Sequence, residues 1–425
     1  MAQHKISEFI MFLTSLVVGL TMVMGVNAVN SAPSFMLDYY KYIQHSETAT
    51  PHYDKFWVNI LTYYTVVTLV AQAVHEPTNL TYFMSRFSLM FRMQISVLLM
   101  LVELIVIVVL PHTGASEAGA MAAIIIVAYL GGVARAYFEN TGYALFGPCP
   151  SKMLSGMLVG SAASGALVSI IQIILKASMP DTYDSVLTQS IIYFSLSLGI
   201  IFLGAVGVLF LLCNPFAKQY IAEFRSRRSV WRNIYCPVER VAPVSEIEKV
   251  VATTGHVEPS KEESDVLFDD RVHQKPCAEF SEGEEGEPLT TAELIQGVSV
   301  WRVIKEIWPM MLSCLLTFGV TYLMYPGMLL AVDPEDGWYT TIVMTVYNFG
   351  DLIGRAVSMI KRLWVPRKVV LIASVVRIVF IPLLILCAAH IIPSHAAAYV
   401  FTAVLSVSNG SLARFLWCTP PIPNH

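Results

Sequence analysis

The sequence predicts an all-α polytopic membrane protein with about ten transmembrane helices, and three observations support this. Of its 425 residues, 55% are hydrophobic and only 14% are charged, whereas an ordinary soluble domain carries about 25% charged residues. The hydrophobic residues form repeated runs near the length of about 20 that crosses a bilayer. These runs are continuous instead of alternating, which excludes a transmembrane β-barrel and predicts helices in lipid. The composition also argues against a disordered protein and a soluble multidomain enzyme.

Ten apolar segments divide the chain into two groups. The predicted spans are 9–36, 56–74, 88–110, 118–146, 152–175, 187–213, 303–330, 338–360, 368–392 and 396–417. We therefore expect a six-helix lobe over 1–213, a cytoplasmic, acidic and disordered loop over 214–302, and a four-helix lobe over 303–425. Many secondary transporters have such a two-lobe organisation. The first run has only Lys5 before it and no convincing cleavage site after it, so we expect a retained helix.

Basic loop residues predict a cytoplasmic N-terminus. With this orientation, the inner loops contain Arg86, Arg92, Lys218, Arg225, Arg227, Arg228, Arg232, Lys361, Arg362, Arg367 and Lys368. The outer loops then carry only three lysines, together with an acidic group of Asp333, Glu335 and Asp336. The opposite orientation would place nearly all basic loop residues outside.

The predicted eighth span contains a polar stripe. Asn348, Asp351 and Arg355 follow one another at spacings of three and four, so a helix places them on one face. Gly350 and Gly354 beside them allow another helix to approach closely. The stripe is either a structural ion pair that joins helices, or a carboxylate and guanidinium that face a cavity and bind or gate a polar substrate.

Charged residues in three other spans also need partners. Arg135 and Glu139 are four residues apart in the fourth span, with Asn140 next to them. If the helix extends to about residue 146, Glu139 lies within the membrane; if it ends earlier, the pair is interfacial. Glu103 and Arg377 are lone intramembrane charges that need partners, either each other or a charge pair described above.

Small and amide side chains mark helix contacts. Gly156, Gly160 and Ser164 recur every four residues in the fifth span, which predicts close helix packing. Asn27 and Asn30 share a face at the end of the first span. They are either interhelical hydrogen-bonding groups or part of a binding site.

The chain shows no pattern of an enzyme or of a cofactor or metal site. The HExxH, GxSxG and phosphate-loop motifs are absent, and the seven cysteines are scattered singly without a CxxC pair. No basic patch interleaved with aromatic residues indicates nucleic acid binding. We therefore expect neither an enzyme nor a cofactor or metal.

Four segments match the signature motifs of one transporter family. The stretch 347–355 has the pattern Asn-x-x-Asp-x-x-Gly-Arg, and 315–326 ends in an aromatic residue and proline. The stretch 142–165 is similar to the family's signature between the fourth and fifth helices, and Asn409 with Gly410 to its tenth-helix Asn-Gly. The order and spacing agree over essentially the whole chain, which therefore resembles the equilibrative nucleoside transporters, especially their protozoan branch.

Three departures from the family pattern stand out. The first-helix Pro-Trp-Asn is reduced here to Asn27, and the fourth-helix glutamine falls at Glu139 or Asn140. The family has eleven helices, whereas the proline-containing segment after residue 417 predicts that this chain has ten.

The resemblance implies a major-facilitator-like bundle of 6+5 helices, here 6+4, that carries purine nucleosides or nucleobases across the plasma membrane. It implies alternating access, with proton coupling as a further expectation. The implied substrate-binding or gating residues are Asn27, Glu139, Asn140, Phe318, Tyr347, Asn348, Asp351 and Arg355. The alternatives are a major-facilitator carrier of another small polar solute and an inactive, truncated paralogue that assembles with a partner.

Overall fold

The computed structural model describes residues 2–85, 87–180, 182–221, 224, 300–333, 336–358, 360 and 366–418. All the extended regular elements in these ranges are helices, so the predicted all-α fold is confirmed. Most of the predicted acidic loop over 214–302 lies outside the described residues, and its first residues form a short helix.

The helices fall into two bundles, which we call the N-terminal and C-terminal bundles. The N-terminal bundle comprises α1 Ala2–Met22, α2 Met24–Asn30, α3 Pro33–Leu37, α4 Tyr39–Ile43, α5 Asp54–Val58, α6 Ile60–His75, α7 Tyr82–Ser85, α8 Leu89–Val109, α9 Glu117–Phe146, α10 Ser151–Ser178, α11 Tyr183–Leu211 and α12 Pro215–Tyr220. The C-terminal bundle comprises α13 Val300–Met324, α14 Gly327–Leu330, α15 Gly337–Val357, α16 Arg367–Val376, α17 Phe380–Ala388 and α18 His395–Cys418.

Eight of the ten predicted spans correspond to helices that are long and apolar enough to cross a membrane. The predicted spans 56–74 and 338–360 correspond to α6 and α15, which fall short of that length or hydropathy. The helix α6 has only 16 residues, and α15 carries the polar stripe on one face. All ten predicted spans are therefore mainly helical in their described residues, but only eight of them are both long and apolar enough to cross a membrane.

Several predicted spans are interrupted instead of being single helices. The first, 9–36, breaks at Val23 and again before Pro33, where proline cannot continue the helix ladder. The seventh, 303–330, breaks between the end of α13 at Met324 and the start of α14 at Gly327. The ninth, 368–392, contains a 3-10 turn over Arg377–Val379 between α16 and α17. Pro382 explains the interruption of the ninth span, because it lacks the N–H that would bond to the carbonyl group of Ile378.

Side-chain caps fix the start of three long helices. Ser88 accepts a hydrogen bond from the backbone N–H of Phe91 at 3.2 Å, and Ser116 accepts one from Gly119 at 3.3 Å. Asp336 accepts one from the N–H of Trp338 at 2.8 Å at the start of α15. Each cap satisfies a donor that the first helical turn leaves unpaired.

Glycine allows close backbone contact in both bundles. A Cβ atom on Gly160 of α10 would overlap the carbonyl oxygen of Leu16 in α1, and one on Gly19 would overlap that of Met157. In the same way, a Cβ atom on Gly354 of α15 would overlap the backbone of α18. The predicted close packing at the fifth and eighth spans is therefore confirmed.

Glu117 joins the α4–α5 connection to the start of α9. Its carboxylate accepts hydrogen bonds from the backbone N–H groups of His52 (3.0 Å) and Tyr53 (2.8 Å) and from the Trp57 indole (3.0 Å). Tyr39 donates to the carbonyl oxygen of Ile107 at 2.7 Å in the same region. These bonds hold the short helices α4 and α5 over one end of the bundle, the end that the predicted topology places outside.

Candidate functional site

The polar stripe of α15 forms an ion pair inside the protein. Arg355 Nε donates to Asp351 Oδ2 at 3.0 Å, and the two side chains are only 13% and 11% exposed. This confirms that the residues meet one turn apart on one helical face. The pair lowers the cost of keeping either charge at membrane depth.

The ion pair also joins the two bundles. Arg355 Nη1 donates to Ser161 Oγ at 2.6 Å and to the carbonyl oxygen of Leu158 at 3.2 Å, both on α10. Because the donor is charged, these bonds are stronger than neutral ones. Arg355 is therefore anchored to its own helix by Nε and to the N-terminal bundle by Nη1.

A second set of hydrogen bonds holds Asp351 from the side of the C-terminal bundle. Asn409 Nδ2 donates to Asp351 Oδ1 at 2.7 Å, and Thr321 Oγ1 donates to Asn409 Oδ1 at 2.9 Å. Arg377, which is 2% exposed, donates through Nη2 to Thr321 Oγ1 at 2.7 Å. Arg377 therefore belongs to the network of the Asp351 pair and does not bond Glu103.

Asn348 and Asn27 contact the same helix from opposite bundles. Asn348 Nδ2 donates to Ser169 Oγ at 2.8 Å, and Asn27 Nδ2 donates to Ser164 Oγ at 2.6 Å. Gly165 makes room for the Asn348 amide, because a Cβ atom there would overlap it. Both amides join helices in this conformation, and their contact with substrate remains a prediction.

The N-terminal bundle has its own polar cluster, and it differs from the expected Arg135–Glu139 pair. The helix α9 extends to Phe146, so Glu139 lies within the span. Gln72 of α6 lies between the two charges: its Oε1 accepts from Arg135 Nε at 2.7 Å, and its Nε2 donates to Glu139 Oε2 at 3.0 Å. No direct ion pair between Arg135 and Glu139 is found. The sequence reasoning missed Gln72. Its only signal was the presence of an amide side chain near the end of the predicted second span.

Two further polar residues are occupied by neighbours. Glu103 is 2% exposed and accepts a hydrogen bond from the Tyr64 hydroxyl, with Gly131 leaving space for its carboxylate. Asn140 donates to the carbonyl oxygen of Ala136 in its own helix at 2.9 Å. Glu103 therefore pairs with a tyrosine and not with Arg377, and a substrate contact of Asn140 stays a prediction.

Aromatic residues of the C-terminal bundle lie on the helices α13 and α15, which also carry Thr321 and Asp351. Tyr347 stacks on Tyr325 with ring centroids 4.1 Å apart, and Phe318 stacks on Tyr322 at 6.1 Å. Tyr322 is 37% exposed. We call the contact between α15 and α10 at Asp351, Arg355 and Ser161 the central site.

A cavity lies nearer the end that the topology places outside. Its lining includes Phe35, Gln172, Lys176 and Gln189, and it does not reach the Asp351 pair. The candidate functional site is the central site, because a buried ion pair at membrane depth contacts both bundles there.

The described residues contain one group that could ligate a metal ion. Potential ligand atoms of Asp333, Asp336 and His395 lie within 4.8 Å of one another near the start of α15 and α18. The two side chains Asp336 and His395 are exposed, and exposed acidic groups are common without an ion. This group includes none of the residues of the central site, and no cofactor role follows from it.

Comparisons with known proteins match both bundles. A family model described as "Nucleoside transporter" matches residues 121–423. Nucleoside transporter 1.2 of Leishmania donovani is 32% identical over 415 residues, which cover 95% of this chain and 84% of that protein. Nucleoside transporter 2 of the same organism is 34% identical over 434 residues, covering 96% and 86%. Adenosine transporter 1 of Crithidia fasciculata is 32% identical over 425 residues, covering 96% and 85%.

Among solved structures, the inward-open xylose transporter of E. coli matches with a TM-score of 0.43 and 12% identity, covering 98% of this chain and 96% of that one.

The match to the family model, over residues 121–423, includes Arg135, Glu139, Asp351 and Arg355.

Proposed function

Since the chain belongs to the nucleoside transporter family, we propose that it carries purine nucleosides or nucleobases across a membrane by alternating access. It is a multi-pass membrane transporter and not an enzyme. We further propose the plasma membrane as its location, with the N-terminus and the 214–302 loop in the cytoplasm. Surface labelling of tags at the N-terminus and in that loop, with and without permeabilisation, tests the location and the orientation.

One observation carries the transport proposal: Arg355 joins the two bundles while it is paired with Asp351. Alternating access requires the bundles to move relative to each other around a fixed site. The bonds from Arg355 to Ser161 and Leu158 break when α15 and α10 separate, whereas the bond to Asp351 stays within one helix. The pair keeps its charges compensated in both conformations.

The chemistry of this site suits a nucleoside, which is neutral, flat and rich in hydrogen-bonding groups. Ribose hydroxyls donate to Asp351 and accept from Arg355, and hydrogen bonds to such charged groups are strong. The base meets polar groups on the opposite bundle, for which Glu139, Asn140 and Asn27 are the candidates. Phe318 and Tyr347 supply apolar contact area. Asn348 orients α15 against α10 through Ser169.

Uptake in cells that lack their own purine carriers tests the proposal. Saturable uptake of labelled adenosine, inosine or hypoxanthine is expected, and Asp351→Asn is expected to abolish it while surface expression persists. Unchanged uptake in the variant would remove Asp351 from the mechanism. Absence of uptake by protein present at the surface would favour a carrier of another polar solute, which uptake of labelled hexose or other labelled solutes would then identify.

Proton coupling is a second part of the proposal. It is motivated by three carboxylates at membrane depth: Glu103, Glu139 and Asp351. Such groups commonly carry protons in transporters. Uptake should then rise as external pH falls and decrease when a protonophore is added. Uptake insensitive to both treatments contradicts coupling and leaves facilitated transport.

A further inference from the structure

We propose that the cavity between α3, α10 and α11 binds the phosphate group of a ligand, and we call it the outer cavity. Its lining includes Ser34 and Phe35 of α3, Gln172 and Lys176 of α10, and Gln189 of α11. A phospholipid headgroup and a free phosphate ion present the same chemistry to such a site. The inference concerns binding and does not depend on the transport function proposed above.

The outer cavity lies at the ends of two long helices. Lys176 lies in the last turn of α10, and Gln189 lies within the first two turns of α11. On other faces of the same helices, Ile174 is 57% exposed and Ile191 is 36% exposed, as expected for side chains that contact lipid. The cavity is therefore near the boundary between hydrocarbon and water, which is where lipid phosphates lie.

Lys176 supplies a positive charge inside the protein. Its side chain is only 9% exposed, and it is the one charged residue among the described residues that line the cavity. A buried ammonium group needs compensation, and its Nζ lies 5.7 Å from the ring centroid of Trp338, within the range of a cation–π contact. Because an ammonium group has three N–H donors, it can contact the ring and an anion together.

The contact with Trp338 crosses between the two bundles, since Trp338 belongs to α15. It is lost whenever the outer ends of α10 and α15 separate. A phosphate group in the outer cavity lies on the N-terminal bundle with Lys176, so it compensates the ammonium charge whether or not Trp338 is close.

Two neutral side chains provide further donors to the same ligand. Gln172 precedes Lys176 by four residues, so the two share one face of α10. In the part of the chain that the structure describes, the side chains of Gln172 and Ser34 form no hydrogen bond and are available to a ligand. The hydroxyl of Ser190, in contrast, already donates to the carbonyl oxygen of Val186 at 2.8 Å.

This set of groups fits a phosphate better than other small ligands. A phosphate has four oxygens in a tetrahedral arrangement, whereas a carboxylate has two in one plane, so donors on two helices are better satisfied by the phosphate. Lysine binds phosphate as a point charge, and a neutral solute would leave that charge uncompensated. The cavity has a volume of ≈ 400 Å³ including its mouth, and Phe35 and Leu175 give it an apolar wall. A phospholipid headgroup with the start of its acyl chains would use both parts.

Thermal unfolding of the purified full-length protein tests the proposal with two pairs of probes. In mixed micelles, dioleoylphosphatidylglycerol is compared with dioleoylglycerol, which lacks the phosphate. In solution, sodium phosphate is compared with sodium chloride at equal ionic strength. A ligand that binds only the folded protein raises the melting temperature saturably, so we expect this from the phosphate-bearing member of at least one pair.

The two pairs also identify the source of the phosphate. A response to the phospholipid alone assigns the cavity to a lipid headgroup, and a response to sodium phosphate alone assigns it to the free ion. A response to both means that the cavity accepts the group from either source. If neither probe stabilises the protein more than its phosphate-free counterpart, the proposal is overturned, and no variant is needed to reach that result.

Matched lysine variants assign the binding to the outer cavity. Lys176→Gln should weaken binding of the active probe at least about tenfold, the lower end for a hydrogen bond with a charged partner. Lys41→Gln is the control, because Lys41 is an exposed lysine that pairs with Asp38 at 2.7 Å. Its backbone oxygen accepts from Tyr183 at the start of α11, so it lies at the same end of the protein. Both changes remove one positive charge, and only the first should alter affinity.

Equal affinities of the two lysine variants would show general attraction to anions and would overturn the assignment to this cavity. Ser34→Ala provides a second test, which decides the assignment if Lys176→Gln does not fold. It keeps the cation and removes one donor, so it should weaken binding at least about twofold. Unchanged affinity in Ser34→Ala would then overturn the assignment. Absence of purine uptake would leave this inference standing, because every readout is binding.

Discussion

Replacing Arg355 with lysine should separate its two tasks. The arginine bonds Asp351 through Nε and reaches Ser161 on the other bundle through Nη1. A lysine has one ammonium group on a flexible stem, so it cannot hold both positions in the same fixed geometry. We expect Arg355→Lys to keep the ion pair within α15 and to lose the contact with α10.

The size of the effect follows from the bond to Ser161. Interhelical hydrogen bonds in membranes average about 0.6 kcal/mol and reach about 1.7 kcal/mol. The bond from Arg355 is short at 2.6 Å and has a charged donor, which places it near the upper end. The serine proton is already directed to the Leu158 carbonyl oxygen at 2.8 Å, so its lone pairs are free to accept. We expect a coupling energy of about 1.5 kcal/mol, roughly a tenfold effect on an equilibrium constant.

A double-mutant cycle measures this coupling. The parent, Arg355→Lys, Ser161→Ala and the double variant are purified, and their unfolding free energies are compared in mixed micelles. Thr345→Ala serves as the control for Ser161→Ala, because its hydroxyl donates within α15 to the carbonyl oxygen of Thr341 at 2.7 Å. Additivity of Arg355→Lys and Ser161→Ala within about 0.4 kcal/mol would refute the reasoning.

Three further predictions concern packing, the α4–α5 connection and transport. Gly160→Val should destabilise the purified protein by about 1–3 kcal/mol because its side chain meets the α1 backbone, whereas Gly199→Val, with open space at its Cβ position, should leave the melting temperature nearly unchanged. Glu117→Ala removes the three hydrogen bonds to the residues 52–57, so limited proteolysis should cut this connection faster than in the parent; equal rates would argue that aromatic packing alone holds it. Asp351→Asn should retain surface expression but lose uptake, because the amide cannot neutralise Arg355, and normal uptake would show that the charge is dispensable.

The polar stripe of α15 shows how far the sequence predicts the site. The spacing of Asn348, Asp351 and Arg355 is a property of one helix, and the structure confirms both the shared face and the ion pair. The partners of that face were not predictable. Ser161 and Ser169 lie more than 170 residues away on α10, and their contact depends on how two helices are rotated and shifted against each other.

The N-terminal cluster shows the opposite case. The spacing of Arg135 and Glu139 suggests a direct pair, yet Gln72, which is 63 and 67 residues away, takes the position between them. A third helix can compete for a predicted pair whenever its own side chain reaches the same atoms. The local rule therefore identifies which residues need partners but not which partners they obtain.

The sequence by itself determined the helical class, the polar stripe and the close-packing glycines of this protein. These features follow from local physics: an apolar run in lipid must satisfy its own backbone, and residues three or four apart share a helix face. The tertiary structure alone decided that Asn409 and Arg377 support Asp351, and that Arg355 reaches across to α10. Such contacts depend on the rotation and register of separate helices, which many weak packing interactions determine together.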